Sequence, residues 1–286
     1  MWLILTVLAV LSRALYGVLT KVLSNFIKVG FIIQTALLMV AGTIWGLLLS
    51  PFVGGIHLAG IGSVWLVLVI AIVTSALGNV LYFKGIATLE SGTTQIAFSS
   101  IVIWSVIMAW AFLGTRLSLV QALGVLLLLF AILLAQYQKG SLKAKPGIWL
   151  IVASAACFAG FQIASARLSH TMTPGTYLVL TYLGDTILIG LPYLKSIKRD
   201  LMAKGAKLGG LFITVAITGA LSILFNVFAY YSYKMAPDAG IVVLLLTTQV
   251  VLAVILSILF LKERSNIGFK LTAGALAFVA AIMIKS

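Results

Sequence analysis

Long apolar runs without interruption constrain this chain more than any other feature. Leu123 to Leu134 and Ile241 to Leu246 contain no polar side chain. Of 286 residues, 63% are hydrophobic and 8% charged. A water-soluble fold cannot hide that much apolar surface. A membrane crossing needs about 20 mostly apolar residues with every backbone polar group satisfied internally. Transmembrane strands alternate apolar and polar residues, whereas these runs are continuous, so helices are expected. The expected fold class is an all-α polytopic membrane protein with ten transmembrane helices arranged as two inverted five-helix repeats.

The spans are expected near 1–22, 29–50, 62–86, 92–113, 118–137, 147–166, 175–194, 209–234, 239–260 and 267–284. Pro51 follows the second span, and Pro146, Pro174 and Pro237 precede the sixth, seventh and ninth. Pro192 is placed at the end of the seventh, so no proline kink is predicted. Lys195 to Lys207 reads as the longest connection, polar and basic.

The second five spans echo the first five. Asn79-Val80-Leu81-Tyr82 corresponds to Asn226-Val227-Phe228-Ala229-Tyr230. Leu11 to Ser24 lies over Ala156 to Ser169, so that Tyr16 meets Phe161 and Thr20 meets Ser165. Leu113-Gly-Thr-Arg116 lies over Leu261-Lys-Glu-Arg264. Two domains follow, residues 1–140 and 141–286. Five is odd, so the two halves point in opposite directions across the bilayer, a recurring design of secondary transporters.

These motifs resemble the EamA-type transporters of the drug/metabolite transporter superfamily. The matching features are Tyr16-Gly17 ahead of Lys21, the Asn-Val-x-Tyr stretch leading to Gly85-Ile-Ala-Thr-Leu-Glu-Ser-Gly92, Tyr233-Lys-Met-Ala-Pro-Asp-Ala-Gly240, and Leu259-Phe-Leu-Lys-Glu-Arg264. The resemblance implies ten helices in two repeats and a central site formed by spans 1, 3, 4, 6, 8 and 9, with 5 and 10 outside it. Members often carry a proline in helices four and nine. Here those places hold Ser99-Ser100 and Thr247-Thr248-Gln249, and Gly114-Thr115-Arg116 stands where Gly-Glu is usual.

Charge sets the expected orientation. Lys139, Lys143, Lys145, Lys195, Lys198, Arg199, Lys204 and Lys207 all fall in loops of one face. The face holding both termini carries Arg116, Arg167, Lys234 and Lys285. Lys and Arg in short loops favour the cytoplasm, so both termini are expected outside, opposite to the arrangement usual in the family. The net charge of +14 then reads as orientation and attraction to anionic lipid heads rather than to nucleic acid. Trp2, Trp65, Trp110 and Trp149 read as interfacial belts. Gly42-Thr-Ile-Trp-Gly46 suggests a close helix contact.

Polar residues at membrane depth are costly and point to function. Two charges lie deep, Arg13 and Asp185. Either they form a structural pair, or Arg13 snorkels toward the headgroups, or Arg13 meets a substrate anion while Asp185 meets a cation or carries a coupling proton. Asn79 and Asn226 either contact substrate or join helices. Gln95 and Ser99 of span 4 share a face whose edge lies toward Trp104, and Thr248 and Gln249 hold the corresponding place in span 9. Tyr16, Tyr82, Gln162 and Tyr230 complete a candidate substrate wall. Glu90 and Asp238 read as helix N-caps or as gate residues.

The single Cys157 and the two histidines, His57 and His170, offer neither a disulfide framework nor a metal cluster, and no cofactor is expected. No Gly-xxxx-Gly-Lys-Ser/Thr loop is present. The expected function is a secondary transporter of a small polar metabolite, such as an amino acid, working by alternating access with a proton as one candidate coupling ion. The alternatives are a flippase for an anionic lipid or lipid-linked sugar, and an intramembrane enzyme. Expected partners are the small-molecule substrate and the lipid bilayer, with homo-oligomerisation left open.

Overall fold

In a computed structural model the chain is described over residues 1–26, 31–89, 97–135, 146–203, 208–261 and 267–286. Most of those residues are helical, and no strand is found among them. The helices are α1 (Trp2–Phe26), α2 (Phe31–Leu49), α3 (Ile61–Ile86), α4 (Ile101–Met108), α5 (Leu119–Ala135), α6 (Pro146–Leu168), α7 (Pro174–Ala203), α8 (Leu208–Met235), α9 (Ala239–Leu246), α10 (Gln249–Leu261) and α11 (Ile267–Lys285). A 3-10 turn at Ser50–Val53 follows α2, and a π turn at Ala109–Leu113 extends α4. Six of the described helices are long and apolar enough to cross a membrane. Side chains such as Ile4, Leu66, Trp110, Leu119, Trp149 and Phe278 stand exposed on their outer surface, as a lipid solvent permits.

The packing links the two parts of the chain. The most extensive helix contacts are α3 with α6, α5 with α11, α1 with α8, and α2 with α7. Each joins a helix of residues 1–140 to one of residues 141–286. Small residues make the close approaches possible. A Cβ on Gly42 would run into the Tyr182 ring, and Gly46 lies against the Leu178 backbone, so the Gly-xxx-Gly pattern of α2 faces α7. A Cβ on Gly219 would come within 2.8 Å of the Ala41 Cβ, which brings α8 against the same helix.

Two expectations are corrected. Pro192 lies inside α7 rather than at its end, and the helix runs on through most of the expected Lys195–Lys207 connection to Ala203. A proline costs one helical N–H and crowds one carbonyl. The Leu194 to Ala203 stretch that follows is rich in Leu, Lys, Arg and Met, which favour helix. Trp2 is half-buried, packs into two interior clusters and lends its carbonyl to Ser232 Oγ at 2.9 Å, so it is part of the helix interface. Trp65, Trp110 and Trp149 are exposed as expected of belt residues.

Hydroxyl residues stand at two turns next to helices. The chain turns at Ser99–Ser100 before α4 and at Thr247–Thr248 between α9 and α10. Backbone bonds tighten there to a spacing of three, as in Ser100 N to Ala97 O (3.2 Å) and Thr247 N to Leu244 O (3.1 Å). The side chains repeat the bond: Ser100 Oγ donates to Ala97 O, Thr247 Oγ1 to Leu244 O and Thr248 Oγ1 to Leu245 O. A hydroxyl that binds the backbone of its own helix competes with the regular ladder and bends it.

Candidate substrate site

The centre of the helix assembly holds a narrow cavity lined by Arg13 of α1, Ser75 and Asn79 of α3, Gln162 of α6, Asp185 of α7 and Asn226 of α8, among others. A second space adjoins it on the side of Tyr16, Thr20 and Tyr82. Arg13, Asn79, Phe98, Phe158 and Gln249 belong to both linings. The spaces open to water are about 30 and 50 Å³, room for a few waters. Arg13 thus stands between two small chambers near the middle of α1.

Aromatic rings hold the guanidinium. Its carbon lies 4.6 Å from the Tyr16 ring centroid and 5.3 Å from those of Phe158 and Phe225. Each such contact contributes about 0.5–2 kcal/mol when desolvated. Among the described residues no carboxylate forms an ion pair with Arg13, so its charge is left for another partner. Arg13 and Asp185 share a cavity and do not pair.

Asp185 is 2% exposed. Its Oδ2 accepts from Ser75 Oγ at 2.6 Å, and its Oδ1 has no partner. Gln162 Oε1 and Gln249 Oε1 are likewise buried without a donor. Leaving a buried polar atom unpaired costs about 1–3 kcal/mol, and three of them in one lining is an unusual concentration.

The two asparagines play matched structural parts. Asn79 Nδ2 donates to Ser75 O (3.0 Å) and Asn226 Nδ2 to Ser222 O (2.9 Å). Asn226 is tied further, donating to Tyr182 Oη at 2.8 Å, while Tyr182 Oη and Ser222 Oγ lie 2.6 Å apart. Thr20 Oγ1 donates to Tyr16 O and Ser165 Oγ to Phe161 O, both at 2.7 Å. Aligned residues of the two halves therefore make the same local bonds.

Of the residues expected at the site, Arg13, Tyr16, Asn79, Tyr82, Gln162, Asp185, Asn226 and Gln249 line one or both chambers. Gln95 and Glu90 lie outside the described residues. Four others lie elsewhere. Tyr230 stacks on Tyr177 with centroids 4.5 Å apart and donates to the carbonyls of Leu168 and Met172, so its hydroxyl pins the end of α6. Trp104 is half-buried against the cluster of α4, α5 and α6. Ser99 is buried at the helix break outside both linings. Thr248 faces an apolar groove between α1, α9, α10 and α11. Asp238 is an N-cap: its Oδ1 accepts from Gly240 N at 2.7 Å and from Thr115 Oγ1 at 3.0 Å.

The structure also adds residues. Ser75, Thr181, Tyr182, Ser222, Phe98, Phe158 and Phe225 line the cavity, and spans 2 and 7 contribute Met39 and Asp185 to a wall expected from six other spans. Ser75 and Ser222 carry a signal that the sequence displays, a Ser-x-x-x-Asn spacing in both halves. Tyr182 stands three residues before Asp185, on the same helical face.

The sequence profile described as the EamA-like transporter family matches residues 1–137 and again residues 145–286. No curated protein matches the chain in sequence. A crystal structure of another protein, 18% identical, superposes with a TM-score of 0.77 over 98% of both chains. At that identity the likeness speaks for the fold alone.

Proposed function

The chain belongs to the EamA-like transporter family, within the drug/metabolite transporter superfamily, and on that premise we propose that it is a secondary carrier for a small polar metabolite bearing an anionic group. The observation that carries this reading is Arg13, without a carboxylate partner among the described residues, in a cavity also lined by Asn79, Gln162, Asp185 and Asn226. A half-buried cation at membrane depth without a counter-charge is costly, and a carboxylate on the substrate would supply one. Its planar fork suits bidentate recognition of such a group.

The carrier works by alternating access between two inverted five-helix halves, 1–140 and 141–286. Two features support this. Exchanging each helix for its counterpart five spans on turns the α1–α8 contact into the α6–α3 contact, while α2–α7 and α5–α11 map onto themselves. The turns at Ser99–Ser100, ahead of α4, and at Thr247–Thr248, between α9 and α10, supply matched points where each half can bend. Asp185 is the residue to carry a coupling proton, and the basic loops put both termini outside.

The test is counterflow by the purified protein in liposomes, with labelled small carboxylates and amino acids. Wild type should accumulate label and Arg13→Gln should not. Full retention by Arg13→Gln would remove the anion role. A lipid-moving alternative is favoured by the apolar groove of about 320 Å³ between α1, α9, α10 and α11, with Lys285 in its lining. Headgroup translocation in the same vesicles separates the two.

A further inference from the structure

We propose that the cavity contains, opposite its anion-binding arginine, an ammonium subsite formed by Asp185 Oδ1, Gln162 Oε1 and Gln249 Oε1, so that the cargo is a zwitterion. The inference rests on the carrier reading and names the second charge of its substrate. All three oxygens belong to residues that line one chamber, all three residues are at least 95% buried, and none of the three oxygens has a donor. They are acceptors, so what they lack is N–H or O–H. A primary ammonium brings three N–H donors and no acceptor, which matches three open acceptor oxygens.

The carboxylate is held for this task. Ser75 Oγ donates to Oδ2 at 2.6 Å, which fixes one oxygen and leaves the other open. Arg13 forms no ion pair with that carboxylate among the described residues; its guanidinium lies against the rings of Tyr16, Phe158 and Phe225. Its presence in the same lining also opposes a bare metal cation, which would meet Asp185 and an uncompensated arginine together. A zwitterion satisfies both: its anion faces Arg13 and its ammonium faces Asp185. Phe98, Phe161 and Phe225 complete the wall and suit a compact apolar body between the two charged ends.

Three molecules that differ by one group test this. Binding to the purified full-length protein is measured for leucine, for 4-methylpentanoate, which lacks the amine, and for 3-methylbutylamine, which lacks the carboxylate. Leucine is expected to bind at least tenfold tighter than either. Asp185→Asn and, separately, Gln162→Leu should shrink the preference for leucine over 4-methylpentanoate. Equal affinity of the wild type for leucine and 4-methylpentanoate overturns the subsite and leaves the anion site standing. Tighter binding of 3-methylbutylamine than of leucine overturns the anion site and keeps the amine contact. Binding of none of the three overturns both. The wild-type comparison needs no variant, so a variant that fails to fold does not blunt it.

Discussion

Arg13 and Asp185 line one cavity without touching: the arginine is held by three aromatic rings and the aspartate by Ser75. Two opposite charges at membrane depth would ordinarily neutralise each other. Here each is secured by an uncharged neighbour, so each keeps a free side.

Replacing Arg13 by lysine keeps the charge and loses the planar group that stacks on the rings. Transport should fall about tenfold or more with Arg13→Lys and to background with Arg13→Gln. Initial rates of counterflow check this, with melting temperatures in detergent showing whether the variants remain folded.

A transmembrane pH gradient should drive uptake by the wild type and not by Asp185→Asn. Asp185 faces Ser75 and shares its chamber with Arg13 and Tyr182, so no other carboxylate lines that chamber to take over its proton. Gradient-driven uptake that persists in the variant would remove Asp185 from coupling. Counterflow without a gradient should survive better than driven uptake.

Gly42→Leu should destabilise the protein by about 1–3 kcal/mol, the usual range for overpacking. The new side chain would displace the Tyr182 ring. Tyr182 in turn bonds Ser222 and Asn226, so substrate affinity should drop together with the melting temperature. An unchanged melting temperature would contradict the contact.

Changing Thr247 and Thr248 together to alanine removes two hydroxyl bonds at the break, each contributing about 1 kcal/mol. If the break serves as a bending point, exchange should slow while equilibrium binding stays within about threefold. Stopped-flow counterflow against equilibrium binding gives the comparison.

Orientation can be read by labelling intact cells with an impermeant thiol reagent in a Cys157→Ala background. Ser286→Cys, exposed at the C-terminal end, should react. Lys198→Cys, exposed near the end of α7, should react only after the membrane is opened. The reverse pattern would place both termini inside.

The helices and the repeated polar positions were legible because both are written locally. Apolar runs of span length specify helix, and Asn79 and Asn226 recur at one place in each half. Arg13, Asp185, Gln162 and Gln249 could be picked out because polar groups are rare at depth. Tyr230 and Trp104 could not be assigned in this way: a large side chain near the middle of a span fits a cavity wall and a helix interface equally well, and only the three-dimensional packing separates them. The end of α7 was misjudged because Pro192 is a strong local stop signal that the surrounding helix formers outweigh.

The residue aligned with Arg13 in the second half is Phe158, and the guanidinium lies 5.3 Å from that ring. A residue can touch its own counterpart only where the operation relating the halves passes close to both. On the inverted-repeat reading proposed above, Arg13 and Phe158 mark the pseudo-twofold axis. A perfectly symmetric ancestor would have carried either two rings or two cations at that point, and two cations would repel. On that reading, the difference between the halves at this position admits a single charge on the axis. It also gives the central chamber a polarity, so that a ligand lying there has one head and one tail.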